Sequence, residues 1–268
     1  MQNTSAYIGI DSWVDRLNPL TKVTFVVVIC YLSFISPNYI LPLFLYLLVF
    51  PIAAAGKVLK LYLNFALKYL TIILLMLFLI HGLFNPSNAT VVFQFYFIRF
   101  YQEGLLFALN IASRLLVLLS IFYLFTITTK PSKMMSALVG AGLSSKIGYL
   151  VLATLNVVPQ MQRRVAIIRE AQQSRGVEIA GKLMVRIKAL IPLVGPLVMG
   201  SLVDLQERGM TLEIRGFGSS HKPTQYVETF DTRGQKVSRR IMFWIAIITT
   251  IIIVLRKGID IYRSLLHG

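Results

Sequence analysis

Five long runs of apolar residues, separated by short polar breaks, set the rhythm of this chain. Val23–Ser36 is followed by a Pro37-Asn38 turn. Tyr39–Ala55 runs to Gly56-Lys57, and Leu61–Leu83 stops at the turn "FNPSN" that opens at Phe84. Leu105–Ile127 ends before "TTKPSK", and Ile241–Leu255 is followed by the short tail "RKGIDIYRSLLHG". A helix needs about 20 mostly apolar residues to cross a bilayer core. The runs therefore predict about five membrane helices. The first is short and the second carries Pro42 and Pro51, so these are read as tilted, kinked or partly interfacial rather than clean spans.

Between the fourth and fifth runs the pattern changes. Two long helices are predicted, from about Ser145 to Arg175 and from about Gly181 to Arg215. Each begins apolar and ends polar, the polar halves being "QMQRRVAIIREAQQSR" and "DLQERGMTLEIR". Pro159, Pro192 and Pro196 predict kinks, because a proline inside a helix lacks the backbone donor and crowds the preceding turn. Both units close on Arg-Gly, a weak internal repeat of pattern rather than identity. Ahead of them, "TTKPSK" reads as a helix start, with Thr129 or Ser132 as cap and Pro131 in the first turn.

Composition makes the membrane reading firmer. The chain has 268 residues, 56% apolar, with mean hydropathy +0.71 and a formal net charge of +16. Soluble domains run near 45–50% apolar. Residues 128–240 hold 17 of the 27 Lys and Arg, against 7 Asp and Glu. The predicted organisation is thus 1–127, a leader and four membrane helices; 128–240, a basic domain of long crossed helices; and 241–268, a last membrane helix and tail. The fold class is all-α and polytopic. A basic balance can signal nucleic acid, but a bilayer accounts for the charge and the apolar runs together, so no nucleic-acid partner is expected.

Positive charge stays on the cytoplasmic side. Lys57 and Lys60 place the second connection inside, the segment 84–104 then lies outside, and four crossings bring the chain back inside at Thr128. Leu183–Val203 is long enough to span. If it and the run beginning at Ile147 both crossed, Arg163, Arg164, Arg169, Arg175 and Lys182 would be external, against the rule. Both are therefore read as cytoplasmic-side helices, apolar enough to lie against membrane or partner. The opening "MQNTSAYIGIDSW" lacks a basic stretch before an apolar one, so no cleaved signal peptide is expected. Cys30 is the single cysteine, which excludes an internal disulfide framework.

An Arg-Gly pair alone is explained as a helix stop, with glycine taking the left-handed position after the last turn and arginine suiting the negative end of the dipole. Two such stops on adjacent helices in the basic block carry more. The arginine fork matches carboxylates, and at a helix end it is placed to dock on an acidic groove of another protein. "AQQSRG" (Ala171 to Gly176) and "IRGFG" (Ile214 to Gly218) resemble the paired Ala-Arg-Gly motifs of the transmembrane (T) subunit of energy-coupling factor transporters. "VDRLNPLTKV" (Val14 to Val23) resembles that family's lead into its first membrane helix, and "NIASRLL" (Asn110 to Leu116) its fourth-helix arginine segment. The resemblance covers essentially the whole chain, in order. Ser174 and Ile214 stand where the family usually has alanine, and Asn18 and Leu20 replace an Asp and an Arg. Ser174 is a mild change; Ile214 is bulkier and β-branched, so the two ends are expected to differ.

The resemblance implies a non-catalytic scaffold of an ATP-driven importer of vitamins or trace metals in the cell membrane of a prokaryote. Its partners would be two ATPase subunits, identical or homologous, and a small membrane subunit that captures substrate. Each Arg-Gly motif would contact one ATPase, through Ala171, Ser174, Arg175 and Gly176 at one end and Ile214, Arg215 and Gly216 at the other. No cofactor is implied. Arg114 sits in mid-run, where a lone charge is costly; it reads either as part of a substrate or ion path or as an internal tie to backbone carbonyls or to Asn110, and the resemblance favours the tie, because T subunits of that family do not bind the nutrient themselves. Lys68 is read as snorkelling. No Gly-rich loop followed by Lys-Ser/Thr is present, which argues against ATP hydrolysis by this chain. His81, His221 and His267 are scattered without zinc spacing, and Asp11, Asp15, Glu170 and Glu178 form no acid/base pair. A self-contained channel or secondary transporter is the competing class, but the apolar runs lack the inverted symmetry typical of it. A membrane-embedded enzyme would need clustered His, Asp or Glu at the membrane edge.

Overall fold

The computed structural model describes residues 12–84, 90–95, 98–176, 183–219 and 231–266, with Gly9. Most of the leader, the Asn85–Asn88 part of the "FNPSN" turn and the predicted start of the second long helix at Gly181 lie outside these. The chain divides into two compact units, Met1–Ala137 with Thr229–Gly268, and Leu138–Glu228. Residues 128–137 and 231–240, which the charge pattern groups with the basic block, cluster with the first unit.

The first unit opens on a short helix α1 (Trp13–Arg16), whose Ser12 accepts from the Asp15 amide. Asn18 caps α2 (Pro19–Ile35), accepting from the Leu20 amide at 2.9 Å with Pro19 in first position. This pairing of cap and proline starts the helix four residues before the apolar run. Then α3 (Ile40–Ala55) keeps Pro51 inside it and ends where Lys57, not Gly56, takes the left-handed conformation (φ 55°). The next run is α4 (Leu59–Phe65), a π-helical turn Ala66–Leu70, and α5 (Thr71–Phe84). Lys68 sits in that turn, its Nζ 5.5 Å from the Tyr69 ring centre.

The segment after it is not merely a connection. Val91–Phe95 (β1) and Ile98–Tyr101 (β2) pair antiparallel, Phe95 opposite Ile98 and Val91 opposite Tyr101. Its β-branched and aromatic residues favour this form, and the stretch is too short to span. The chain continues as α6 (Gln102–Thr128) and α7 (Pro131–Gly140). The carbonyl of Lys130 accepts from the Met134 amide, so Lys130 occupies the cap position expected of Thr129 or Ser132. In the second unit lie α8 (Ser145–Ser174) and α9 (Leu183–Ile214). The chain ends in α10 (Arg233–Leu266). Residues 256–266 of the expected tail continue this helix beyond the apolar run, since only Gly258 interrupts an otherwise helix-compatible stretch.

Among the described residues three helices are long and apolar enough to cross a membrane, Leu59–Phe84, Gln102–Thr128 and Arg233–Arg256. Pro19–Ile35 and Ile40–Ala55 are shorter apolar helices. The fold is that of an all-α polytopic membrane protein, with one small hairpin. Its core lies where α2, α3, α6 and α10 meet (Val26, Ile29, Leu32, Leu45, Val117, Ile121, Ala246) and where α3 and α4 pack on α6 (Val49, Ala53, Tyr62, Leu124). The Tyr62 hydroxyl, fully buried, donates to Ser120 Oγ at 2.9 Å.

Two cations pin α2 against α6. Lys22 Nζ donates to the carbonyl of Thr128, the last residue of α6, at 2.7 Å, and Arg114 Nη2 donates to the carbonyl of Ser36, just past α2, at 2.9 Å. Each helix thus places a cation on the other's negative end, where the unpaired carbonyls of the last turn gather. The pairings fix the two helices as antiparallel.

Candidate functional site

The second unit is built on the antiparallel pair α8 and α9. Arg164 forms an ion pair with Asp204, each about one-third exposed or less. Arg208 donates to Gln160 Oε1 at 2.6 Å, and Ser201 Oγ lies 3.8 Å from Met161 Sδ. Gly200 admits this contact: a Cβ there would stand 3.3 Å from the Arg164 guanidinium. Farther along, the Tyr149 and Phe217 rings meet at 5.0 Å between centres. Pairs formed later along α8 involve residues earlier along α9, which is the signature of opposed directions.

Each Arg-Gly motif closes one of these helices. At the first, Arg175 is the capping residue (φ −89°) and Gly176 is left-handed (φ 84°), with the Gly176 amide donating to the Gln173 carbonyl at 3.0 Å. At the second, Gly216 is left-handed (φ 70°) and its amide donates to the Glu213 carbonyl at 2.9 Å, while Phe217 donates to Leu212. In both, the amide after the capping arginine reaches back to the carbonyl three residues earlier, satisfying an orphan of the last turn. The repeat read from sequence is therefore repeated in the left-handed glycine and its bond, while the arginine amides differ, Arg175 reaching Gln172 and Arg215 reaching Thr211.

Ala171, Ser174, Arg175 and Gly176 are all exposed, as are Ile214, Arg215 and Gly216. The structure does not bring the two groups together. Phe217 packs on Tyr149, near the start of α8, whereas Arg175 ends it; 26 residues at 1.5 Å each separate the ends by roughly 40 Å. Among the described residues neither motif arginine forms an ion pair. The ends also differ in chemistry. The first is small and polar, and Ser174 Oγ donates back to the Glu170 carbonyl. The second carries Ile214, 87% exposed, beside Phe217 and Tyr149.

Sequence reasoning missed the Arg164–Asp204 tie. A signal was present: Arg164 precedes Arg175 by eleven residues, and Asp204 precedes Arg215 by the same interval. The tie is thus equidistant from both ends. The apolar halves leave Leu150, Leu155 and Val158 of α8 and Val198, Leu202 and Val203 of α9 exposed. Arg114 lies in the other unit, bonded to the Ser36 carbonyl rather than to Asn110, whose Oδ1 is buried without a partner among the described residues.

The family model described as cobalt transport protein, CbiQ, matches residues 11–226. Curated relatives named energy-coupling factor transporter transmembrane protein EcfT are similar over most of both chains. The one from Exiguobacterium sibiricum is 28% identical over 227 residues, covering 81% of this chain and 86% of the relative. That from Macrococcus caseolyticus is 26% identical over 239 residues (84% and 90%), and that from Bacillus subtilis 28% over 229 residues (82% and 86%).

Proposed function

Since the chain belongs to the CbiQ family of cobalt transport proteins, we propose that it is the transmembrane scaffold subunit of an energy-coupling factor importer for a vitamin or trace metal. In this reading the N-terminus and residues 128–240 are cytoplasmic, in the plasma membrane of a prokaryote. The chain is not itself an enzyme; two partner ATPases hydrolyse ATP, one docked at each Arg-Gly end. The observation that carries the reading is the pair of exposed stops with the same left-handed glycine, facing opposite ends of one antiparallel helix pair. One body with two separated, similar sockets suits two ATPases better than one.

At each end the glycine turns the chain away and leaves the arginine fork free to take a carboxylate. Ala171 and Ser174 are short, so a partner can approach the Arg175 backbone closely. The exposed apolar halves of α8 and α9 offer a surface to the substrate-capturing membrane subunit. When the ATPases move on hydrolysis, the ends move with them, and the Arg164–Asp204 tie carries displacement of one helix to the other.

The test is the double variant Arg175→Ala/Arg215→Ala in the assembled transporter. Uptake is expected to vanish and ATPase co-purification to fall sharply; wild-type values for both would sink the reading. The orientation is checked separately. A cysteine introduced by Gly176→Cys should resist membrane-impermeant thiol reagents in intact cells and react after permeabilisation.

A further inference from the structure

Where α10 begins, it presents Lys236, Arg240, Phe243, Trp244 and Ile247 along one side, passing from basic to aromatic to aliphatic within three turns. These residues and Thr24 of α2 line an open groove of about 610 Å³. We propose that this groove is a binding site for an anionic phospholipid, with the phosphate held by Lys236 and Arg240 and an acyl chain lying on Phe243, Trp244 and Ile247.

Three observations support that occupant. The first is an unmet charge. Arg239, the third cation of the groove, is already engaged: its guanidinium grips both carboxylate oxygens of Asp231 at 3.0 and 2.6 Å and reaches Thr21 Oγ1. Lys236 and Arg240 are exposed and form no salt bridge with a described residue. Asp231 feels the charge of Lys236 but is hydrogen-bonded to Arg239, and the sequence offers little else to neutralise Lys236 and Arg240, with no Asp or Glu between Asp231 and Asp260, nor between Asp15 and Glu103. Asp15, at the same end of α2, is paired with Lys133.

The second is the position of the aromatic pair. Trp244 and Phe243 are both 62% exposed, one turn below Arg240. An amphipathic ring just beneath a cation is the arrangement side chains adopt at the boundary between headgroups and hydrocarbon. The third is continuity: beyond them Ile248, Ile251 and Ile252 remain exposed along a span long and apolar enough to cross the membrane. A free phosphate would use only the upper part of this surface. A lipid uses all of it, and basic recesses between membrane helices recognise such headgroups.

Trp13→Phe leaves Trp244 as the sole tryptophan of the two in the chain. Reconstituted into phosphatidylcholine bilayers, this full-length variant is titrated with brominated phosphatidylglycerol or brominated phosphatidylcholine, and Trp244 quenching is read. Two cations near the surface predict about a 30-fold preference for the anionic lipid. The preference should disappear in Lys236→Ala/Arg240→Ala and persist in Lys236→Arg/Arg240→Lys. Equal quenching by both lipids overturns the proposal, as does a preference that survives the alanine pair. Relief of quenching by millimolar inorganic phosphate would assign the site to a free anion, and shielding of Trp244 from both lipids would assign it to protein; either overturns it. Native mass spectrometry of the unaltered chain gives an independent reading that does not depend on the folding of any variant: phosphatidylglycerol should be retained over phosphatidylcholine, and equal retention counts against the site.

Discussion

At Gly176 and at Gly216 the chain makes the same left-handed stop, yet the surroundings differ. Ala171, Ser174 and Gln173 leave the first end small and polar, whereas Ile214, Phe217 and Tyr149 give the second an apolar shoulder. A left-handed glycine turns the chain away after each arginine. The side chains around it set what else a partner can grip. In the proposed docking the guanidinium would carry most of the recognition at the first end, and at the second it would share the task with Ile214, Phe217 and Tyr149. If each end docks an ATPase as proposed, the two share a left-handed glycine stop but are not interchangeable.

The largest effect tests this inequality directly. Arg175→Ala should weaken ATPase attachment by about 30-fold or more, the range for losing one partner of a desolvated charge pair. Arg215→Ala should cost less, because Ile214 and Phe217 still bury area, and its deficit should grow to match when Ile214→Ala is added. Pull-down affinities of the two single variants that prove equal would remove the distinction.

Next in size are the stops themselves. Gly176→Ala and Gly216→Ala should each destabilise the chain by about 1 kcal/mol, since an alanine at positive φ is strained by its Cβ. Among the described residues neither site crowds an added methyl group, with nothing closer than 3.9 Å at Gly216 and nothing within 4 Å at Gly176. The two losses should therefore agree in thermal unfolding, and a large difference would mean that the backbones are not equivalent.

Arg164→Gln or Asp204→Asn should cost about 1 kcal/mol or less, because the pair is partly solvated. The charge-reversed double Arg164→Asp/Asp204→Arg should recover part of it. Uptake should fall more than stability does if the tie transmits motion between the ends. The smallest effect belongs to a similar pair in the other unit. Asp231 is hydrogen-bonded to Arg239, which holds its carboxyl below the ordinary value of 3.8. A depressed folded-state value adds stability above the unfolded value, and that stability is lost as pH falls through the folded one. The stability gap between wild type and Asp231→Asn should accordingly be flat above about pH 5 and close on acidification below about 4.

Much of this architecture is local and so was legible in the sequence. The apolar runs mark the membrane helices because a bilayer demands length, and each Arg-Gly marks a helix end because glycine tolerates the left-handed turn. Pairings across the fold were not legible. Arg164 meets Asp204, Lys22 meets Thr128 and Arg114 meets Ser36 only once antiparallel register is set, and register depends on packing that no window of residues reveals. The hairpin at Val91–Tyr101 was hidden for another reason: its aromatic residues suit a membrane helix as well as a strand, and only its length decides. The continuation of α10 to Leu266 was hidden by its charges, which signal the end of a membrane run but not of a helix.

The equal eleven-residue intervals from the Arg164–Asp204 tie to the two motif arginines make α8 and α9 a balance with arms of about 16 Å. If the ends move with docked ATPases as proposed, such a beam has no leverage: it neither magnifies nor reduces a stroke. A rocking of about 10° swings each tip by about 3 Å, equally and in opposite senses. Inserting or deleting a single residue in one arm would break the parity and turn that tip by about 100° around its helix, aiming its arginine at the wrong neighbour.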